Sequence, residues 1–201
     1  MDAFKKYDEE TYYWLGVLFA DGSGTVWNRI LLKSKDLEFV EGTYVGKPVK
    51  EGRGARTVVC RVDFSDKVMR ERLIALGWTK ENKTTRKLPE SLFHNLEGAR
   101  HFMRGYFDGD GSIHKDHRKP NGWRLEMSTH SSYTNSMKKL MKAMCPSANI
   151  RRYNRKTSER LMIYNFEGVR EVLRWLYADA SVCPHPKIKA DSVKSLIEEI
   201  L

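Results

Sequence analysis

Apolar positions along the chain alternate between helical and strand spacing, and the order in which they do so occurs twice. Thr11–Ala20 is almost continuously apolar, preceded by Asp8, a capping residue, and by Glu9 and Glu10, which suit the positive end of a helix dipole. A helix is predicted there, stopped by Gly22-Ser23-Gly24. Val26–Lys33 reads as a strand, Lys35–Val40 as a short helical stretch, and a Gly-rich loop follows. Arg56–Phe64, rich in β-branched residues, reads as a strand, and Ser65 or Asp66 caps a helix through Leu76, ended by Gly77. Trp78–Pro89 is a connector too apolar to be a flexible linker. In the second half, Leu96–Phe107 reads as a helix ending at Gly109-Asp110-Gly111. Ile113–Lys115 and Trp123–Thr129 form a hairpin around Asn121-Gly122, and Ser131–Met144 is an amphipathic helix. Asn149–Asn154 and Arg160–Phe166 form a second hairpin, followed by helices over Glu167–Tyr177 and Lys189–Leu201.

The repetition extends to individual residues. Trp14–Ser23 (WLGVLFADGS) aligns with Met103–Ser112 (MRGYFDGDGS) at an offset of 89, matching Gly16 with Gly105, Asp21 with Asp110, Gly22 with Gly111 and Ser23 with Ser112. The expected architecture is α+β: two pseudo-symmetric αββαββα halves, residues 1–92 and 93–201, in one compact monomer. Gly16 and Ala20, and Gly105 and Gly109, place small residues four apart on one helical face. That spacing lets two helix backbones approach closely, which points to a seam between the repeated helices.

Asp21 and Asp110 sit where each of these helices ends. An acid there faces the negative end of the dipole, at a cost of about 0.3–1 kcal/mol. Side-by-side packing adds repulsion between the two carboxylates. A divalent cation offsets both effects, and hard oxygen donors suit Mg²⁺.

The formal charge is +10, with 36 Lys and Arg against 26 Asp and Glu, which favours a polyanionic partner. The basic residues gather in three loop-like stretches: Lys47–Arg56, His114–Arg124 and Arg151–Arg160. Hairpins with basic tips suit a nucleic-acid surface. No apolar run reaches the roughly 18 residues of a membrane span, and the first residues lack a signal-peptide core. Cys60, Cys145 and Cys183 form no CxxC pair, so an intracellular, reducing compartment is expected. The six histidines are too scattered for a zinc nuclease, and there is no Walker loop, dinucleotide fingerprint or nucleophile elbow.

Trp14–Gly22 and Met103–Gly111 resemble the nine-residue LAGLIDADG signature of homing endonucleases, with Phe19 replacing an acid at the sixth position of the first copy. LGWTKENKTTRKLP and WLYADASVCPHPKIKADSV are similar to family segments after each half, so the resemblance spans most of the chain. It implies a single-chain, two-motif endonuclease whose antiparallel sheets form a saddle over double-stranded DNA. Metal-dependent hydrolysis there would give a staggered double-strand break at a long, asymmetric site. Asp21 and Asp110, with Ala20 and Gly109 beside them, would hold two or three Mg²⁺ ions, or Mn²⁺ in their place. Lys83 and Lys187, with Lys189 as an alternative, are the basic residues implied near each site. Asn28, Arg29, Lys33, Arg61, Arg124, Arg152 and Arg155 are the implied DNA contacts. The alternative within this fold is a protein that binds nucleic acid without cutting it, such as an RNA splicing maturase or a transcription regulator. An intron-encoded or stand-alone mobile gene is the expected origin.

Overall fold

The computed structural model describes residues 8–24, 29–34, 49–51, 59–65, 67–79, 83–115, 122–156 and 158–177. Helix α1 spans Glu9–Ala20, with the Asp8 carboxylate accepting from the Thr11 N–H at its start. Strands β1 (Ser23–Gly24), β2 (Arg29–Ser34), β3 (Val49–Glu51) and β4 (Val59–Ser65) form an antiparallel sheet ordered β1-β2-β4-β3. Helix α2, Lys67–Ala75, ends at Gly77, whose φ of +85° is the left-handed conformation that glycine adopts without strain. Two short 3₁₀ turns, Lys83–Thr85 and Glu90–Phe93, lead into helix α3, Leu96–Asp110, where the Asn95 side chain accepts from the Gly98 N–H.

The same order of elements then recurs. Strands β5 (Gly111–Lys115), β6 (Trp123–Thr129), β7 (Ile150–Asn154) and β8 (Glu159–Ile163) form a second antiparallel sheet ordered β5-β6-β8-β7. Helix α4, Thr134–Met144, lies between the two hairpins, and α5, Phe166–Tyr177, follows β8. The expected α+β fold of two antiparallel sheets is therefore present. Two strands escaped the sequence pattern: β1 lies in the Gly-rich stop of α1 and β3 inside the stretch expected to be a Gly-rich loop, because two or three edge residues are too few to show an alternation. The helical stretch expected at Lys35–Val40 and the helix expected at Lys189–Leu201 fall outside the described residues.

The core joins both repeats. Tyr13, Leu15, Val17 and Phe19 of α1 pack with Phe102, Met103, Tyr106 and Phe107 of α3, and all eight are fully buried. Ile30 and Leu32 of the first sheet, and Leu125, Met127, Leu161 and Ile163 of the second, belong to the same buried core. Phe19 packs edge to face on Phe102 at 5.3 Å and on Tyr133 at 6.1 Å. Cys145 is a buried core residue whose thiol is pushed up to about 12, chiefly by burial, so it stays protonated. Among the described residues, no helix is long and apolar enough to cross a membrane.

Candidate active site at the helix seam

Helices α1 and α3 meet backbone to backbone. A Cβ on Gly16 would lie 2.0 Å from the Phe102 carbonyl oxygen, and one on Gly105 would lie 2.0 Å from that of Tyr13. The secondary contacts are Tyr106 N for Gly16 and Val17 N for Gly105. Shifting Tyr13, Gly16 and Val17 by 89 positions gives Phe102, Gly105 and Tyr106, so the two sets of contacts exchange under one pseudo-two-fold operation. Only glycine permits this approach, as the small-residue spacing implied.

The seam continues to the C-terminal ends of both helices. Asp21 is the C-cap of α1, and Asp110 is the last residue of α3; both are half-buried. A Cβ on Gly109 would lie 2.5 Å from the Ala20 Cβ and 2.9 Å from Asp21 Oδ2. The Asp21 carboxylate is thus seated against the backbone of the residue preceding Asp110, in a cradle that any side chain at position 109 would fill. Carboxylate oxygens at two convergent helix ends, beside that cradle, fit a hard divalent cation.

The cation that the protein itself brings to this end of α1 comes from the connector. Neither α1 nor α3 has a basic residue in its last turn. Instead, the fully buried Arg86 donates from Nη1 to the carbonyls of Leu18 (3.1 Å) and Phe19 (2.7 Å), and from Nη2 to that of Gly22 (2.7 Å). Its Nε donates to the Thr79 carbonyl at 3.2 Å, and its guanidinium lies over the Trp78 ring at 5.0 Å. Trp78 Nε1 also donates to the Leu18 carbonyl, at 3.0 Å. Burial pulls the Arg86 pKa down, while Tyr133, Tyr106 and Asp110 oppose that shift, which places Asp110 within electrostatic reach of the guanidinium. Lys83, three residues earlier in the same connector, is the basic residue that the resemblance implies beside the site, a role separate from this capping. The available signal was the missing cation in the last turn of α1, which a connector residue had to supply.

The sixth motif position differs sharply between the copies. Phe19 belongs to the core, whereas Asp108 is a buried carboxylate that accepts from Tyr13 Oη (2.9 Å) and Tyr177 Oη (2.5 Å). It joins α1, α3 and α5. Burial, and next the Asp108 charge, raise both phenols well above the usual tyrosine range, so they remain donors.

Outside the seam, the second sheet exposes a polar face away from the helices. Register places Ser112, His114, Arg124, Glu126, Arg160, Met162, Arg151 and Tyr153 on it, opposite the buried Leu125, Met127, Leu161 and Ile163. Glu126 sits centrally, with Arg160 Nη1 at 2.9 Å, His114 Nε2 at 3.3 Å and Arg124 Nε at 3.8 Å. Arg124 therefore occupies the expected face, and Arg155 is exposed just beyond the end of β7. Arg152 does not share that face. It pairs with Glu159 on the helix side and donates to Asn135 Oδ1 of α4 at 2.9 Å, while Arg151 takes the outward position. A one-residue difference in register exchanges the faces of a strand, and the run Arg151-Arg152 gave no alternation to settle it. In the first sheet, Lys33 pairs with Arg61 and Arg29 with Ser65; for these residues, and for Lys83, the structure describes the backbone alone. Asn28, Lys187 and Lys189 lie outside the described residues.

Residues 97–175 match the model of the LAGLIDADG-like domain family. No curated protein sequence matches the chain. Among solved structures, the chain is similar to the N-terminal LAGLIDADG domain of DUF199/WhiA, at 16% identity and a TM-score of 0.58, covering 86% of this chain and 83% of that one. It is similar to full-length DUF199/WhiA from Thermatoga maritima at 15% identity and a TM-score of 0.60, over 98% of this chain but 62% of that one. It is also similar to the homing endonuclease I-WcaI bound to its DNA recognition sequence, at 13% identity and a TM-score of 0.61, over 83% of this chain and 78% of that one. Residues 97–175 thus match the LAGLIDADG-like domain family, and the chain as a whole shares the fold of the LAGLIDADG structures.

Proposed function

We propose that the protein is a site-specific, divalent-metal-dependent endonuclease acting on double-stranded DNA. The observation that carries this reading is the seating of Asp21 against Gly109, beside Asp110, where two backbone-packed helices end together. The DNA-bound homing endonucleases I-WcaI, I-CpaMI and I-AabMI share the fold, which supports duplex DNA as the partner.

In this reading Asp21 and Asp110, flanked by Ala20 and Gly109, hold Mg²⁺ or Mn²⁺ near the scissile phosphates. The metal supplies activation of water for in-line attack and stabilisation of the leaving oxygen. The chain's own part is to aim the two carboxylates. The glycine seam fixes the distance between helix ends, and Arg86 holds the turn that carries Asp21. Lys83 and Lys187 are the basic residues assigned to organise water and stabilise charge. The outward face of the second sheet, with Arg124, Arg160 and Arg151, meets the DNA, as does Arg155 next to it. Asn28, Arg29, Lys33 and Arg61 do so from the first half. Residues 1–92 and 93–201 act as the two halves of one monomer. The site is long, as in the family that the sequence resembles, and the inequality of the halves, Phe19 against Asp108, supports an asymmetric one. A second reading, binding without cleavage, has one observation in its favour: the chain shares its fold with DUF199/WhiA as well as with the endonucleases, so the fold alone does not select between them.

Incubation with a large randomised duplex library in Mg²⁺, followed by sequencing of the ends, tests the proposal. Recurrent staggered ends are expected, and they disappear with Asp21→Asn, with Asp110→Asn and with EDTA. Selective DNA binding without metal-dependent ends, on sites recovered by a parallel binding selection, would transfer the assignment to the second reading.

A further inference from the structure

The opposite end of the same helix pair holds a second convergence of ligand-type groups. His101 of α3 is fully buried, and its Nε2 points at Glu97 Oε1 (3.1 Å), one turn earlier on that helix, and at Glu9 Oε2 (3.5 Å) in the first turn of α1. The three donor atoms all lie within 4.8 Å of one another. Both glutamates are about half exposed, at 45% and 54% of their side chains, and they border a cleft of about 490 Å³ that Asp8 and Glu10 also line. Helix α1 has 12 residues, so this cluster stands about 18 Å from Asp21 at a rise of 1.5 Å per residue.

We infer that Glu9, Glu97 and His101 form a binding site for a divalent transition metal of the zinc class, which joins the first turns of the two motif helices. Spacing is the first argument. Donors bound at about 2.1 Å stand roughly 3.0 Å apart along an octahedral edge and roughly 3.4 Å apart along a tetrahedral one. The two distances from Nε2, 3.1 and 3.5 Å, fall in that range, and the two carboxylate oxygens lie within 4.8 Å of each other. Proton count is the second argument. A neutral imidazole offers Nε2 at most one hydrogen, yet two carboxylate oxygens converge on that nitrogen. One proton cannot lie in line with both; the Arg100 guanidinium also ion-pairs with Glu97 Oε1, so a metal here shares that oxygen with it. His101 Nδ1 is buried with no hydrogen-bond partner, so no donor on the far side of the ring fixes the proton on Nε2, and ligation through Nε2 moves that proton to Nδ1, where no protein acceptor meets it. Burial, then Arg104, hold the imidazole below its usual pKa, which keeps it in the neutral form that ligates. One imidazole with two carboxylates suits Zn²⁺ or Mn²⁺ better than Mg²⁺, whose sites are built from oxygen alone. Water from the cleft completes the shell.

This site is independent of the seam at Asp21 and Asp110, and the experiment keeps the two apart. The full chain, stripped with chelator, is titrated with Zn²⁺ by calorimetry and with Co²⁺ by visible absorption, which reports imidazole ligation. The same titrations are run on the Asp21→Asn/Asp110→Asn variant. One zinc ion per chain is expected in both proteins, with a Co²⁺ spectrum of nitrogen and oxygen ligation. A Tm rise of roughly 5–10 °C is expected at a hundredfold excess of zinc over Kd. Glu9→Gln and Glu97→Gln, both at half-exposed positions, are each expected to weaken binding about 10–100-fold while circular dichroism stays unchanged. Zinc binding that survives both glutamine variants overturns the inference. So does binding that vanishes in the Asp21/Asp110 variant, a Co²⁺ spectrum without imidazole, or no binding below millimolar zinc.

Discussion

Replacing Arg86 by methionine removes the guanidinium while leaving an unbranched apolar chain against Trp78. Four donated hydrogen bonds are lost, to the carbonyls of Leu18, Phe19, Gly22 and Thr79. They do not count equally. The Leu18 carbonyl keeps the Trp78 indole N–H and the Gly22 N–H, so it remains satisfied. The Phe19 and Gly22 carbonyls lose a buried charged donor at 2.7 Å, and each orphaned acceptor costs about 1–3 kcal/mol. Loss of a cation at a buried helix C-terminus adds up to about 2 kcal/mol. Part of this is recovered because an ionised guanidinium no longer has to be buried, so the net expectation is about 3–5 kcal/mol. With a urea m-value of about 2–3 kcal/mol/M for a chain of this size, the midpoint falls by about 1–2 M. Arg86→Lys restores the charge but not the planar fork that spans three carbonyls, and is expected to recover about half of the loss. Urea denaturation followed by tryptophan fluorescence measures all three proteins. An Arg86→Met midpoint within about 0.3 M of the parent would show that water or backbone adjustment satisfies the helix end, and the clamp argument would be refuted.

Gly105→Ala drives a methyl group to 2.0 Å from the Tyr13 carbonyl oxygen, and is expected to destabilise by at least about 3 kcal/mol; a thermal melt showing a change under about 1 kcal/mol would contradict the seam geometry. Tyr13, Tyr106 and Tyr177 have folded pKa values raised well above 10, through burial first and then through neighbouring phenols and acids. The unfolded chain therefore releases these protons first, so their stabilisation is complete below pH 10 and is lost as pH rises above it. Tyr177→Phe is expected to flatten the fall in urea midpoint between pH 9.5 and 11.5 by roughly one proton's worth of slope, and an unchanged slope would count against it. Arg151→Ala is expected to reduce the salt dependence of DNA binding by about one counterion, whereas Arg152→Ala, on the helix side of β7, leaves it unchanged; the reverse result would mean that the register assigned to the nucleic-acid face is wrong.

What could be read in the sequence was whatever the chain does periodically. The motif helices, both hairpins of the second half and α4 were legible because apolar spacing changes there between 3.6 and 2. Gly16 and Gly105 were legible as a close approach because they recur at one offset and with the same partner spacing. Arg86 was not. Its role depends on carbonyls more than 60 residues away, and nothing local separates it from Lys83 or Lys87. Arg151 and Arg152 were interchangeable for a different reason: adjacent identical side chains carry no phase, and only the pairing of β7 with β8 assigns a face to each. The Glu9, Glu97 and His101 cluster was invisible as well, since one of its three residues comes from another helix and its sequence spacing spans both repeats.

The contact between Tyr13 and Asp108 has an evolutionary consequence. If the chain arose by joining two copies of one ancestor, either copy once faced its own twin. A pair built today from two second halves would set Phe102 where Tyr13 now stands, and Phe102 has no hydroxyl to offer Asp108. Each such copy would lose one phenol donor to a carboxylate sealed in the interior. A pair of first halves would keep the tyrosine and set Phe19 where the acid belongs. Donor and acceptor now reside on opposite sides of the junction, so a symmetric pair of either half forgoes a buried hydrogen bond that only the joined chain makes, at a cost of about 1.5–3 kcal/mol.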